Sequence, residues 1–163
     1  PRPSPLPACL LLGRSPGVVA LVPGATLHAT LDTRMSSAGA HSAEATIVPP
    51  VGGAPQAAPP VGVAVVSSVG NATEGSVQAS IEHLVSYEGM GRVALRCVNG
   101  CACGLQTVDA HRTDAHRNVS VYLQHTFYIR GSVKDCGVQM QVLKESSSGG
   151  HKFKVRTITL VTG

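Results

Sequence analysis

Four cysteines are the residues of this chain whose types and spacing most clearly suggest chemistry. Cys97, Cys101 and Cys103 form a Cys-x3-Cys-x-Cys cluster, and Cys136 follows further along the chain. Clustered thiols in a small domain either form disulfide bonds or bind a metal ion as thiolates. Four cysteines allow three pairings, among which a sequence cannot choose. The pairing that we favour joins Cys97 to Cys103 across a hairpin and Cys101 to Cys136 on a neighbouring strand.

Two alternatives remain open for these four cysteines. They could bind structural zinc together with His111 or His116, although Cys-x-Cys is a poor match to the Cys-x2–4-Cys pairs of such sites. They could also stay free thiols in a reducing compartment. Cys9 is left over, either free or paired outside this chain.

A second group of polar residues reads Asp-x-His-x2-Asp-x-His from Asp109 through His111 and Asp114 to His116. Alternate positions on a strand share one face, so Asp109 and His111 could bind a metal ion or exchange protons. The interpretation we favour is a solvated loop, with a metal site at Asp109, His111 and His116 as the weaker alternative. The one Gly-x-Ser-x-Gly match, at residues 13–17, has Pro16 directly after the serine, and proline lacks the backbone N–H that a nucleophile elbow needs at that position. We therefore predict no catalytic residue and no cofactor.

Five residues form a predicted ligand face. Exposed aromatic rings on a sheet can stack against sugars, and Tyr122 and Tyr128 should point outward from one strand. Lys152, Lys154 and Arg156 share a face of the last strand, where they could contact acidic sugars or an anionic partner. Lysines on such a face also serve simply to prevent aggregation.

Alternating patterns predict the first elements that must position these residues. Gly17 to Asp32 reads as a β-hairpin around a Pro23-Gly24 turn. A strand with Ile81, His83 and Val85 inward leads to a turn at 88–91, and Asn99-Gly100 is a strong hairpin signal.

Two later strands carry the clearest apolar stripes. The stripe from Val119 to Ile129 should face inward, with His125 as a core residue. In the last strand, Phe153 and Val155 occupy odd-numbered positions and Ile158 and Leu160 even-numbered ones, yet all four should be buried. A β-bulge near Arg156-Thr157 would reconcile the two phases.

Composition favours one all-β domain. The apolar residues are mainly Val, Ala and Leu, with no Trp, and 18 Gly and 11 Pro imply many turns. We predict an antiparallel, jelly-roll-like β-sandwich over residues 9–163, after a Pro-rich linker at 1–8. Residues 35–80 are rich in Pro, Gly and Ala and should form an insertion loop, with an edge strand within 61–69.

Charge and motifs bound the partners. A net charge of +4, scattered basic residues and few aromatics argue against nucleic-acid binding. No apolar run is long enough to span a membrane. Sequons at Asn71 and Asn118, together with the cysteines, favour N-glycosylation in a secreted, cell-surface or lumenal protein.

Several segments resemble a known family when they are taken in order. They are PGVVALVPGATLHATLDT, SYEGMGRVALRCVNGCAC, TVDAHRT, SVYLQHTF and, near the end, VLKESSSGGHKFKV. Together they look like the C-terminal β-domain of plant and green-algal SGNH-hydrolase-type (GDSL-like) esterases. The family's catalytic Gly-Asp-Ser and Asp-x-x-His blocks are absent from this sequence, so the resemblance does not extend to hydrolase activity.

These patterns predict a non-catalytic extracellular domain that contacts proteins or glycans in a cell-surface or cell-wall assembly. The alternative is an accessory domain of a secreted ester hydrolase that acts on polysaccharide, with the catalytic part outside these residues. The sequence predicts other extracellular proteins or glycans as partners.

Overall fold

A computed structural model describes residues 17–34, 44–48, 64–69, 76–113 and 118–162. Within these ranges the chain forms strands and connecting turns, without a helix. The predicted linker at 1–8 and the predictions for Cys9, Asn71, Asp114 and His116 lie outside the described residues.

Ten strands make up two sheets. They are β1 (Val18–Ala20), β2 (Thr26–Leu31), β3 (Glu44–Val48), β4 (Ala64–Val69), β5 (Ser76–Val85), β6 (Arg92–Val98), β7 (Gln106–Asp109), β8 (Val121–Arg130), β9 (Cys136–Val142) and β10 (Phe153–Thr162). Sheet A has the order β1-β10-β5-β8, with β4 also on β10, and sheet B has the order β3-β2-β9-β6-β7.

The pairings are those of a jelly roll. β1 pairs with β10, β2 with β9, β5 with β8 and β6 with β7, all antiparallel. This nesting is that of a long hairpin rolled into two facing sheets. The prediction of an all-β, jelly-roll-like sandwich is confirmed.

The core between the sheets is aliphatic, as the composition requires. Alternate residues of each strand point inward, because the side-chain period of a strand is two. The largest fully buried side chains are Phe127, Leu31, Ile81, Met90, Leu95, Ile129, Met140, Ile158, Leu160, Val19, Val93 and Val138. Phe127 is the one large aromatic ring among them, so Val, Ile and Leu must supply most of the packing.

The hairpin predicted for Gly17 to Asp32 is wrong. β1 pairs with β10 in sheet A, whereas β2 pairs with β9 and β3 in sheet B. The turn at Pro23-Gly24, where Gly24 has a φ of 83°, carries the chain from one sheet to the other. A turn signal is the same whether the next strand pairs locally or crosses the sandwich.

The predicted insertion loop at 35–80 contains strands. β3 extends sheet B beside β2, and β4 lies parallel to the second half of β10 as an edge strand. β5 already begins at Ser76. The eight remaining strands complete the jelly roll without β3 and β4, which fits an insertion that adds one strand to each sheet.

Two predictions about backbone irregularity are confirmed. Sheet pairing of β10 with β5 shifts between Val155 and Thr157, so Arg156 is the extra residue of a bulge. Asn99 and Gly100 have φ values of 65° and 82°, as the two central residues of a type I′ turn require.

Both disulfides have the favoured pairing. Cys97 bonds Cys103, and Cys101 bonds Cys136, with Cα separations of 5.3 and 5.5 Å. The first closes the Asn99-Gly100 turn, and the second ties it to β9. The zinc and free-thiol alternatives are therefore wrong for these four cysteines, because the two sulfur atoms of each pair are bonded to each other.

Two turns interlock at one end of the sandwich. The Gly91 amide donates to the Lys152 carbonyl at 2.8 Å, and the Lys152 amide donates to the Gly89 carbonyl at 3.1 Å. The Ser146 and Ser148 hydroxyls both donate to the Met90 carbonyl. Met90 itself is completely buried. The turn at 88–91 and the segment at 146–152 therefore form one structural unit.

Candidate functional site

A cleft of about 540 Å³ opens between the two sheets beside this unit. It lies between β8, at the edge of sheet A, and β7, at the edge of sheet B. The first half of β8 lines it on one side, and β7 with the residues after it lines it on the other. The volume is within the range of small-ligand pockets.

One wall of the cleft is largely apolar. Val121 and Leu123 of β8 and Val85 of β5 line it. Leu123 is 50% exposed, although the stripe from Val119 to Ile129 predicted that it faces the core. Only the second half of that stripe, Phe127 and Ile129, is buried. The prediction is wrong for the first half, because Val121 and Leu123 line the cleft and are not packed in the core.

His83 of β5 is the most buried polar residue of this wall. It is 4% exposed, and its ring stacks on Phe153 with the centroids 5.4 Å apart. Burial, assisted by the neighbouring His125, lowers the pKa of the His83 imidazole below its usual value. Its Nδ1 atom is buried and has no hydrogen-bond partner in the described part of the chain. Such an atom is rare in proteins, and its burial leaves it no surface that a molecule in the cleft could touch.

His125 lies next to His83 on the neighbouring strand. The residue opposite His125 on β5 is Ile81, two positions before His83. Its Nε2 atom is 2.7 Å from Oε1 of Gln106, and its ring stacks on Phe127. If the Gln106 oxygen accepts this bond, Nε2 carries the proton. Burial also lowers the pKa of His125, so both imidazoles are neutral at pH 7. The prediction of His125 as a core residue is only half right, because the ring lines the cleft.

The opposite wall is polar and comes from β7 and the residues after it. Thr107, Asp109, His111, Arg112 and Thr113 line it. The Nδ1 atom of His111 is buried without a hydrogen-bond partner among the described residues. The cleft thus faces a ligand with hydroxyl, imidazole and guanidinium groups on one side and aliphatic groups on the other.

Asp109 holds this wall in place. Its carboxylate accepts hydrogen bonds from the Ser147 hydroxyl at 2.8 and 3.0 Å and from the backbone amide of His111 at 2.9 Å. Arg92 lies 3.5 Å from it. These contacts tie the end of β7 to the interlocked turns, which is a structural role.

The metal alternative finds no support in the described residues. Within them, Asp109 and His111 do not join any group of three potential ligands near one another, and His116 lies outside them. The grouped ligand atoms there are the sulfurs of Cys97, Cys101 and Cys136, which are bonded in disulfides.

The predicted ligand face is on the outer side of sheet A. The Arg156 guanidinium lies 4.2 Å from the centre of the Tyr122 ring and also pairs with Glu82, which lowers the pKa of that carboxyl. One face of the Tyr122 ring is therefore occupied. Tyr128 is 55% exposed but lies six positions along the strand, about 20 Å away.

The two lysines of that face differ in exposure. Lys152 is half-buried and bridges to Met90 through the backbone. Lys154 is only 5% exposed, so the prediction that it offers a surface charge is wrong. Its side chain packs beside Gly17 and its ammonium lies 5.9 Å from the centre of the Tyr122 ring, which accounts for its burial.

Asn118 of the second sequon is exposed just before β8. The described part of the chain has no helix that is long and apolar enough to cross a membrane. Comparison with protein-family models, curated proteins and solved structures finds no match to this chain. The resemblance to the C-terminal domains of esterases stays a prediction.

The sequence indicated some cleft residues but not the cleft. Asp109 and His111 were candidates from their spacing, and His125 was a polar residue on an apolar stripe. His83 was placed inward by alternation without a role. A histidine on the inward face of each of two strands was the available signal. Only the strand pairing shows that these strands are neighbours.

Proposed function

We propose that this chain is a non-catalytic, extracellular β-sandwich domain that binds a glycan in the cleft between its sheets. The observation that carries the proposal is the cleft itself, with an apolar wall from Val85, Val121 and Leu123 and a polar wall that includes Thr107, His111 and Thr113. A sugar ring has a C–H face and a rim of hydroxyl groups, and it matches such a pair of walls.

The chemistry of the walls favours binding of an uncharged sugar. Burial keeps His125 neutral, so it can exchange hydrogen bonds with hydroxyl groups without attracting a counter-ion. Leu123 offers an exposed aliphatic surface to the C–H face of the ring. Asp109 is already engaged by Ser147 and Arg92, which makes it a poor general acid or base.

The extracellular setting is supported by the covalent structure. Two disulfides are typical of an oxidising compartment, and the sequon at Asn118 is accessible for glycosylation. Secretion from a eukaryotic host should therefore add a glycan mass that Asn118→Gln reduces.

The test is a glycan array followed by calorimetric titration of the best neutral oligosaccharide. Leu123→Ala and His125→Ala should each weaken binding at least tenfold. Leu105→Ala is the matched control, because Leu105 is 76% exposed and does not line the cleft. It should bind as the original protein does.

Tyr128→Ala separates the cleft from the outer face of sheet A. Binding that survives in Leu123→Ala but is lost in Tyr128→Ala would place the sugar on the predicted ligand face and refute the cleft. An array without any signal would refute glycan binding altogether.

A further inference from the structure

β8, at the edge of sheet A, has a partner strand on one side only within the described part of the chain. β8 pairs with β5 along all ten of its residues. On its other side, the described residues provide a single bridge, between Arg130 and Ala102. β8 is therefore an edge strand over most of its length.

The bridge at Arg130 fixes which backbone groups point outward. The Arg130 amide and carbonyl bond Ala102 at 2.8 and 2.9 Å, away from β5. Backbone groups alternate in direction along a strand of an antiparallel pair. The amides and carbonyls of Gln124, Thr126 and Tyr128 therefore also point away from β5. Within the described residues these outward groups make no backbone hydrogen bond.

This edge lacks the features that normally prevent strand pairing. Proteins protect long edges with charged residues, proline or bulges. From Val121 to Ile129 there is no charged residue, no proline and no glycine. Tyr128 and Leu123 are 55% and 50% exposed there. The β7 edge of sheet B differs from the β8 edge, because β7 has only four residues and ends in the charged Asp109.

We propose that β8 pairs antiparallel with β8 of a second copy of this chain and joins the two A sheets into one. Antiparallel pairing of a strand with its own copy is two-fold symmetric, so one surface satisfies both partners. No like charges meet across the paired segment, since it carries none between Val121 and Ile129. The outward groups of Gln124, Thr126 and Tyr128 would gain their missing partners.

The size of the contact predicts a reversible dimer. A ten-residue strand is about 33 Å long, so edge pairing alone buries less than the roughly 800 Å² per partner of a standard interface. We therefore expect monomer and dimer to exchange with concentration.

Sedimentation velocity of the whole chain over a wide concentration range tests the proposal. The mass should rise from one chain toward two. Thr126→Pro removes an outward amide and leaves the bonds to β5 intact, so it should raise the dimer dissociation constant at least tenfold. Thr126→Lys should do the same by bringing like charges together.

Gln141→Lys is the matched control. Gln141 is exposed on β9 in the interior of sheet B, away from any sheet edge, so the same added charge should leave the dimer unchanged. Circular dichroism checks that each variant folds. If Thr126→Pro does not fold, the dissociation constant of Thr126→Lys decides the test. A monomer at every concentration, or a dimer that survives Thr126→Lys, would overturn the proposal. Neither result bears on glycan binding.

Discussion

Removal of the Cys101–Cys136 disulfide should destabilise the protein far more than removal of Cys97–Cys103. The two bonds close loops with sequence separations of 35 and 6 residues. In the chain-entropy treatment a bond restricts the unfolded chain more when its loop is longer. The two loops then correspond to about 3.8 and about 2.2 kcal/mol at 25 °C.

Burial widens this difference. Cys136 is fully buried and Cys101 is 8% exposed, whereas Cys97 and Cys103 are half-buried. Alanine at the buried pair also leaves space that the core does not fill, which adds to the loss. We expect Cys101→Ala/Cys136→Ala to lose about 4–5 kcal/mol of unfolding free energy and Cys97→Ala/Cys103→Ala to lose about 2 kcal/mol.

Equilibrium urea unfolding of the two double variants measures both losses. The dependence of the free energy on urea should also steepen more when the longer loop is opened, because the unfolded chain then exposes more surface. The reasoning would be refuted if the Cys97/Cys103 variant lost as much stability as the other one.

Two further predictions concern packing and protonation. Gly91→Ala should lower the free energy of unfolding by about 1–3 kcal/mol, because its Cβ would lie 2.7 Å from the His151 backbone. Gly104→Ala is the control, because a Cβ there has open space, and it should leave that free energy unchanged in the same urea assay. An equal effect of both would contradict the interlocked turns. Since burial lowers the pKa of His83, the unfolded chain takes up the proton more readily, and stability should fall as the pH drops below 6.5 toward the folded pKa. His83→Phe keeps the stack on Phe153 and should flatten that decline between about pH 7 and 5; an unchanged slope would show that other groups cause it.

Local patterns were sufficient for most strands of the jelly roll, and they favoured the cysteine pairing that the structure shows. Alternation placed the buried residues of β10, and its change of phase located the bulge at Arg156, because inward and outward residues must keep a period of two. The Asn99-Gly100 turn brought Cys97 and Cys103 together, which made their pairing the simplest choice. These features depend on residues that are near one another in the chain.

Features that depend on which strands are neighbours were not accessible in this way. The Pro23-Gly24 turn predicted a hairpin, but the rolled topology sends β1 and β2 to different sheets. The stripe on β8 predicted a fully buried face, but Val121 and Leu123 in its first half line the cleft opposite β7 and do not pack in the core. Lys154 was predicted at the surface, and packing beside Gly17 and Tyr122 buries it.

The sequence by itself therefore determined the class and most strands of the jelly roll, since a two-residue period and turn residues are local properties. The structure chose among the three possible cysteine pairings. The tertiary structure alone decided where a ligand could bind. His83 and His125 lie far apart in the chain and meet only because β5 pairs with β8. The cleft beside them lies between β8 of one sheet and β7 of the other, and no stretch of sequence records that these two strands face each other.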